Sequence, residues 1–339
     1  MFKTFRILFN RKTVGSRFFF ILSGVISLYL VCSILIGIHW SQSPKLISPK
    51  SAVELFVEKA DSFALGQLTV GTLIYLTETL LTKPGGYLSN DISLPGLWLD
   101  NMPNWEFGVL VQARDLARSL RKDLSRSQSQ STENSDLVIA EPALNYDSDK
   151  WFPSTESSYK KASDSLQSYY RNLASAKEQA QFYVRADNLR NYLADVETRL
   201  GSLSQRLSAS VGQTRFNTDL SGDGLSFQGV NSSSEQVIKT PWLKIDDVFF
   251  EARGSAWALI CILKAIEDDF GSVLDNKNAR VSLKQVIREL EATQQIVWSP
   301  IILNGSGFGI FANHSLVMAS YIARSHAAII DLRSLLAQG

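Results

Sequence analysis

The residues best suited to chemistry fall into three sets. The first is the run Asn304-Gly-Ser-Gly-Phe-Gly309, which stands just ahead of an apolar helical stretch and is followed by Asn313 and His314. Backbone N–H groups of Gly305, Ser306, Gly307 and Gly309 could converge there on an anion at a helix N-terminus. No βαβ pattern surrounds the run, however, and it lacks the lysine and hydroxyl of a P-loop. A tight interhelix turn, whose glycines take positive φ or admit close packing, is the default reading. His326 lies twelve residues beyond His314 and His39 sits in an apolar stretch, so no two-histidine metal face is formed. Neither a metal nor a cofactor is expected. Ser315 next to His314 is better explained by helix capping than by a nucleophile–base pair.

The second set is acidic: Asp246-Asp247, Glu267-Asp-Asp269, Glu289 and Glu291. Two carboxylates can hydrolyse a glycosidic bond, but only at a defined separation and with one pKa raised. Caps and solvated helix faces produce the same clusters. The third set is aromatic. Trp98, Trp105, Trp151, Trp242, Trp257 and Trp298 could stack on sugars, although helix packing is their ordinary use. Cys261, in Trp257-Ala-Leu-Ile-Cys-Ile-Leu263, reads as a small buried hydrophobe.

Any of these groups would have to be positioned by helices. The chain has 339 residues, 45% hydrophobic and 20% charged, which is a globular composition with ample length for a core. Its net charge of +1 is unevenly spread: Lys3, Arg6, Arg11, Lys12 and Arg17 stand in an acid-free leader, residues 1–17. With Lys45 and Lys50 also set aside, residues 51–339 carry −6. That sign disfavours nucleic-acid binding. Residues 18–40 hold no formal charge, and as a helix they would reach roughly 35 Å, enough to cross a bilayer. The apolar region is longer than a signal peptide requires, so an uncleaved span through the lipid bilayer is expected. Five cations before it against two after place the N-terminus in the cytoplasm and the rest outside. Cys32 lies in this span, so it is badly placed to pair with Cys261.

Residues 41–50 read as a tether and 51–339 as one extracytoplasmic helical domain, with a soft boundary at 213–240. Leu55, Phe56, Ala60, Phe63 and Leu68 begin one broken or two short helices that stop at Lys83-Pro-Gly-Gly86. Tyr87 to Asn104, with Leu94, Leu97, Trp98, Leu99 and Met102, is expected to be a loop packed on the core. Asn104 is a candidate cap for the helix that follows. From Ser154 to about Leu200 apolar residues recur every three or four positions without Pro or Gly. This predicts one amphipathic helix of about 45–50 residues, paired antiparallel with the helix beginning at Asn104. Asp246 or Asp247 caps a further helix, Ser282 and Gln285 form a capping box, and a last helix runs from about Ala312 to Gln338. Strand alternation of useful length is lacking, so the class is all-α, a helical bundle behind one transmembrane helix.

Several segments are idiosyncratic: Leu99-Asp-Asn-Met-Pro-Asn-Trp-Glu-Phe-Gly108, Ser125-Arg-Ser-Gln-Ser-Gln-Ser131, and Leu200-Gly-Ser-Leu-Ser-Gln-Arg-Leu-Ser-Ala-Ser-Val-Gly212. Others are Lys239-Thr-Pro-Trp-Leu243 with Ile245-Asp-Asp247, and Leu303-Asn-Gly-Ser-Gly-Phe-Gly309 with Ala312-Asn-His-Ser315. In these the chain resembles a family of uncharacterised proteobacterial membrane-anchored proteins, domain of unknown function family 2333. The resemblance implies an envelope protein with one N-terminal span and supplies no catalytic residues. The expected function is a non-enzymatic scaffold, adaptor or assembly factor that meets another envelope protein, with self-association left open. The alternative is a membrane-tethered hydrolase acting on peptidoglycan or another envelope polymer. An anion sensor built on the glycine-rich turn is a third.

Overall fold

The computed structural model describes residues 14–57, 62–127, 132–175, 180–216, 235–299, 301–306 and 309–338. Helix α1, Val14–Trp40, is apolar and long enough to cross a membrane over Phe19–Trp40. It is followed by α2, Pro49–Phe56, and α3, Gln67–Thr82. Ser48 caps α2, so helix resumes inside the stretch read as a tether. The chain then forms α4, Asn101–Ser119, ending in a π turn at Leu120–Leu124, and α5, Ser135–Leu144. It continues through α6, Thr155–Ala174, and α7, Ala186–Ser208. After two short strands come α8, Ile245–Asp269, and the single-turn α9, Gly271–Asn276. The chain closes with α10, Arg280–Ala292, and α11, His314–Ala337. The all-α class holds. The strands β1, Gln213–Phe216, and β2, Glu235–Ile238, pair antiparallel at the edges of the region read as a soft loop. The interior of that loop, like Gly307 and residues 128–131, lies outside the described residues.

From α3 onward the long helices alternate in direction. The bundle therefore has a proximal end, beside the close of α1, and a distal end. Thr82 of α3 leads to Gly85, where an added Cβ would lie 2.7 Å from the Trp40 ring. The other end of α3 is distal: Gly66 and Thr69 meet Asp269, the last residue of α8. Contacts such as Asp115–Arg199 and Asp123–Asn188 run α7 antiparallel to α4. Glu197–Arg333 and Ser210–Asn304 do the same for α7 and α11.

Helices α3 and α8 are the centre. Every residue from Gln67 to Leu80 and from Gly254 to Leu263 is buried, the pattern of helices surrounded by others. Helix α8 crosses α4 backbone to backbone. A Cβ on Gly108 would run into the Glu251 carbonyl oxygen, one on Gly254 into that of Trp105, and Ser255 Oγ donates to Gly108 O at 3.1 Å. The Trp105 and Trp257 rings meet at a tilt of 54° beside this crossing, 5.1 Å between centroids.

The single long helix expected over 154–200 is two helices. Chain reversal is secured by the Tyr169 hydroxyl donating to Gln181 O and by Tyr183 N donating to Leu124 O. Each half covers its apolar stripe separately, α6 mainly on α3 and α5, α7 mainly on α11. The expected antiparallel partner, α4, does touch α7, but its principal neighbour is α8. Three predicted starts also shift. Asp100, not Asn104, caps α4, while Asn104 Nδ2 donates to Asp100 O and Asp247 Oδ1. Lys244 precedes α8, so both aspartates lie in its first turn. Ala279 precedes α10, which leaves Ser282 and Gln285 inside the helix, Gln285 Nε2 donating to Glu289. The loop before α4 packs on the core through Tyr87, Leu88 and Leu99 as expected, while Leu97 and Trp98 face outward.

Candidate functional site

The glycine-rich run closes a small hairpin at the proximal end. Asn304 bridges Asn313, Gly305 N donates to Ala312 O at 3.0 Å, His314 N to Leu303 O at 2.9 Å, and Gly309 N to Ser306 O. Gly305 is needed for close approach, because a Cβ there would strike the Phe311 carbonyl oxygen. Asn313 makes most of the local bonds: its Oδ1 accepts Leu316 N–H as the cap of α11, and its Nδ2 donates to Asn304 Oδ1 and Gly305 O. Asn304 Nδ2 ties the hairpin to Ser210 O. The amides of Gly305 and Gly309 are thus engaged by carbonyl oxygens, and the end of α11 by Asn313. Ser306 and Gly309 are exposed. His314 Nδ1 accepts Leu303 N–H at 3.1 Å, which leaves the neutral ring's proton on Nε2. Ser315, read as a cap, is instead buried behind Asn313.

Two clefts open beside this hairpin. The smaller, about 310 Å³, lies between Phe249, Arg253, Trp298, His314 and Tyr321. The larger, about 630 Å³, reaches the residues after α1 and is lined by Ser41, Asn101, Asp246, Phe250, Arg253 and Ile301. Arg253 belongs to both. Its guanidinium donates to the carbonyls of Gln294 at 3.1 Å and Gln295 at 2.9 Å, and burial pulls its pKa below the usual arginine value. It fastens the loop after α10 to α8.

The acidic candidates are not gathered here. Asp246 lines the larger cleft, and Asp247 beside it has a raised pKa, from burial first and then from Asp246 and Asp100. Glu267 and Asp269 occupy the other end of α8, about 33 Å away at 1.5 Å per residue. Glu267 meets Lys284 at 3.4 Å, Glu289 meets Arg324 at 2.8 Å, and Glu291 meets Lys264 at 2.5 Å. Asp269 caps α3, accepting Gly66 N, Thr69 N and the Thr69 hydroxyl at 3.0, 2.8 and 2.6 Å. Burial raises its pKa against those donors.

The strongest polar constellation was not expected from sequence. Glu106 is fully buried, pairs with Lys83 at 2.6 Å, and accepts Leu88 N, Ser89 N and the Ser89 hydroxyl. Burial pushes its pKa up, while Lys83 and the donors pull it back. Lys83 Nζ also donates to Gly86 O at 2.6 Å. The pair lies inside the proximal end and holds the Lys83–Asn90 loop onto α4. Its one sequence signal is an acid between Trp105 and Phe107 on an otherwise apolar turn. Similar stitches join Glu78 to Lys160 and Ser163, and Asp115 to Arg199.

The model for an uncharacterized protein family conserved in bacteria, DUF2333, matches residues 13–339. The chain belongs to this family. No curated protein and no solved structure matches it.

In this DUF2333 member the tryptophans divide sharply. Trp105 and Trp257 are core, whereas Trp98, Trp151, Trp242 and Trp298 are 51%, 65%, 72% and 90% exposed. All four exposed rings stand on loops of the proximal end. Cys261 is buried, which pushes its thiol up to about 12. Among the described residues no group of three or more His, Cys, Asp or Glu is arranged to hold a metal ion.

Proposed function

We propose that this DUF2333 protein is a single-pass protein of the bacterial inner membrane, its N-terminus cytoplasmic and its bundle in the periplasm. There it serves as a non-enzymatic scaffold, adaptor or assembly factor for another envelope protein. The observation that carries the reading is how the charged groups are used. Lys83–Glu106, Asp115–Arg199, Glu78–Lys160 and Asp269–Thr69 each tie one segment of the bundle to another, so the buried carboxylates are invested in a rigid body and not in one reactive concavity. The excess of cations ahead of α1 supports the orientation.

A reporter enzyme that matures only outside the cytoplasm, fused after Gly339, tests the topology. Activity is expected, and fluorescence from a cytoplasm-only reporter at the same site would overturn it. For the partner, photo-crosslinking from Ile310, which is 99% exposed, should give one reproducible adduct in membranes. The hydrolase reading keeps one favourable feature, the pairing of Asp246 and Asp247 next to the larger cleft. Release of soluble fragments from peptidoglycan by the purified chain, abolished in Asp246→Asn, would replace the scaffold reading with it.

A further inference from the structure

We infer that the proximal end of the bundle docks on the lipid surface itself, with a belt of exposed tryptophans seated in the headgroup layer around the exit of α1. The inference rests on the reading of α1 as a membrane span and adds a second contact with the same bilayer.

Depth along α1 is the first consideration. The apolar stretch Phe19–Trp40 has 22 residues, roughly 33 Å as a helix, against a hydrocarbon core of about 30 Å. Trp40 therefore falls at the edge of the hydrocarbon. Gly37 lies one turn inside it, about 4.5 Å along the axis. A Cβ on Gly37 would nonetheless sit 3.5 Å from Pro95 Cβ and 3.8 Å from Leu99 Cδ2. Ser33, one turn deeper, is buried as well. A loop that touches the span below its last turn cannot stand in bulk water, because the headgroup layer extends about 5–7 Å beyond the hydrocarbon. Trp98 is in that loop.

The remaining rings share this level. Asn90 of the same loop donates to Lys150 O, next to Trp151 and Phe152. Trp242 stands in the turn leading to Asp246, and Trp298 between Val297 and Ser299; Asp246, Val297 and Ser299 all line the cleft that Ser41–Ser43 share. Four loops distant in sequence thus deliver exposed indoles to one end. The distal loops among the described residues deliver none. Tryptophan suits the interface because its ring is apolar and its N–H stays wet. A water-facing surface has no comparable reason to collect four.

The test uses the full chain in phosphatidylcholine–phosphatidylglycerol nanodiscs. Environment-sensitive dyes are placed singly by Trp98→Cys, Trp242→Cys and Trp298→Cys in a Cys32→Ser, Cys261→Ala background. Val281→Cys serves as the distal control, at a site 79% exposed. Native Cys32, labelled in a Cys261→Ala chain, reports insertion of α1. Lipids brominated near the carbonyl should remove most of the emission at the three tryptophan sites and leave the distal dye unchanged. Quenching at Cys32 without quenching at the three sites would overturn the docking and leave the span intact. Cys32 lies about 12 Å inside the edge at Trp40, so it is read with lipids brominated near the ends of their chains, and an unquenched Cys32 there would overturn both. Energy transfer between copies at the three sites, without lipid quenching, would assign the face to self-association and also overturn the docking. A label-free check compares the unmodified chain with one in which Trp98, Trp151, Trp242 and Trp298 are all changed to Phe. Equal fractional quenching of the two by the same lipids would count against the belt.

Discussion

The two ends of the bundle are finished in opposite ways. At the distal end polar groups close the turns: Asp269 caps α3, Asn188 Nδ2 reaches Asp123 O and Tyr183 O, and Lys277 Nζ meets Gln338 O at 2.6 Å. At the proximal end the fully buried ion pair, Lys83–Glu106, is inside, and indole rings are outside. A surface meant for water puts charge outward and rings inward, because exposed apolar area is unfavourable by about 25 cal/mol per Å². Asp269 and Asn188 are buried too, so both ends bury polar groups, and what separates them is outside: exposed indoles stand at the proximal end, where α1 arrives, and at none of the described distal loops. Ends of one bundle can therefore be told apart by what they expose, without reference to any reaction.

The largest effect expected from this contrast is at the inner stitch. Glu106→Gln removes the carboxylate paired with buried Lys83 and sets an amide N–H₂ against backbone donors. Breaking a buried pair from one side costs about 3–5 kcal/mol. Chemical denaturation of the full chain in detergent should show it, and adding Lys83→Met should recover part of the loss. A change below about 1 kcal/mol would mean that Lys83 finds water, and the contrast between a dry interior and an apolar rim would fail at its strongest point.

Next comes Gly254→Ala, at the helix crossing beside Glu106. A methyl there meets the Trp105 carbonyl, so α4 and α8 must separate, with a loss of about 1–3 kcal/mol by overpacking. The struck carbonyl belongs to the peptide bond into Glu106, so this loss and that of Glu106→Gln should not add in the double variant, as for neighbouring sites. Strict additivity would show that the crossing and the Lys83–Glu106 pair are held independently.

Asp269→Asn sharpens the comparison through pH. Glu106 has a cation beside it, whereas Asp269 is held by amides and a hydroxyl. Burial raises the folded pKa of Asp269. The folded state then holds this proton more tightly than the unfolded chain does. That contribution is full below the unfolded carboxylate value of about 3.9 and is lost as pH rises through the folded value. Wild type should therefore lose stability relative to Asp269→Asn with increasing pH across that window. The fixed cost of the weaker cap is about 1 kcal/mol. Unfolding midpoints of both chains over a pH series give the answer, and a constant difference would remove the proposed distinction.

How much of this was legible depended on sequence distance. Continuous apolarity from Trp257 to Leu263 announced a buried helix, and Lys83-Pro-Gly-Gly86 announced the stop of α3, because both signals are local. Gly85 and Gly86 indeed take positive φ. The reversal between α6 and α7 was hidden. Leu166, Tyr169 and Leu173 on one side and Leu189, Leu193 and Val196 on the other keep the same spacing, and a stripe does not record which neighbour covers it. Asp269 lies 200 residues from the Thr69 it caps, so only the tertiary fold reveals its role. The glycine-rich run was readable as a turn, but its fastening through Asn313 to Asn304 and Gly305 was not. Trp98 and Trp105 are seven residues apart and alike in composition, yet one faces out from a 3-10 turn while the other enters the α4–α8 crossing.

The smallest effect is the most discriminating. Trp298 is 90% exposed, so Trp298→Ala should change the stability of the detergent-solubilised chain by no more than about 0.5 kcal/mol, as for an ordinary surface site. The proposed docking gives this exposed indole a contact that the fold does not. In nanodiscs the same variant should unfold more readily than wild type, since only there does the indole have an interface to leave. Parallel denaturation in the two media measures the difference directly. A loss in detergent comparable to the loss in lipid would place Trp298 in the fold, beside Arg253 and His314 of the smaller cleft, and the proximal rim would then be an ordinary surface.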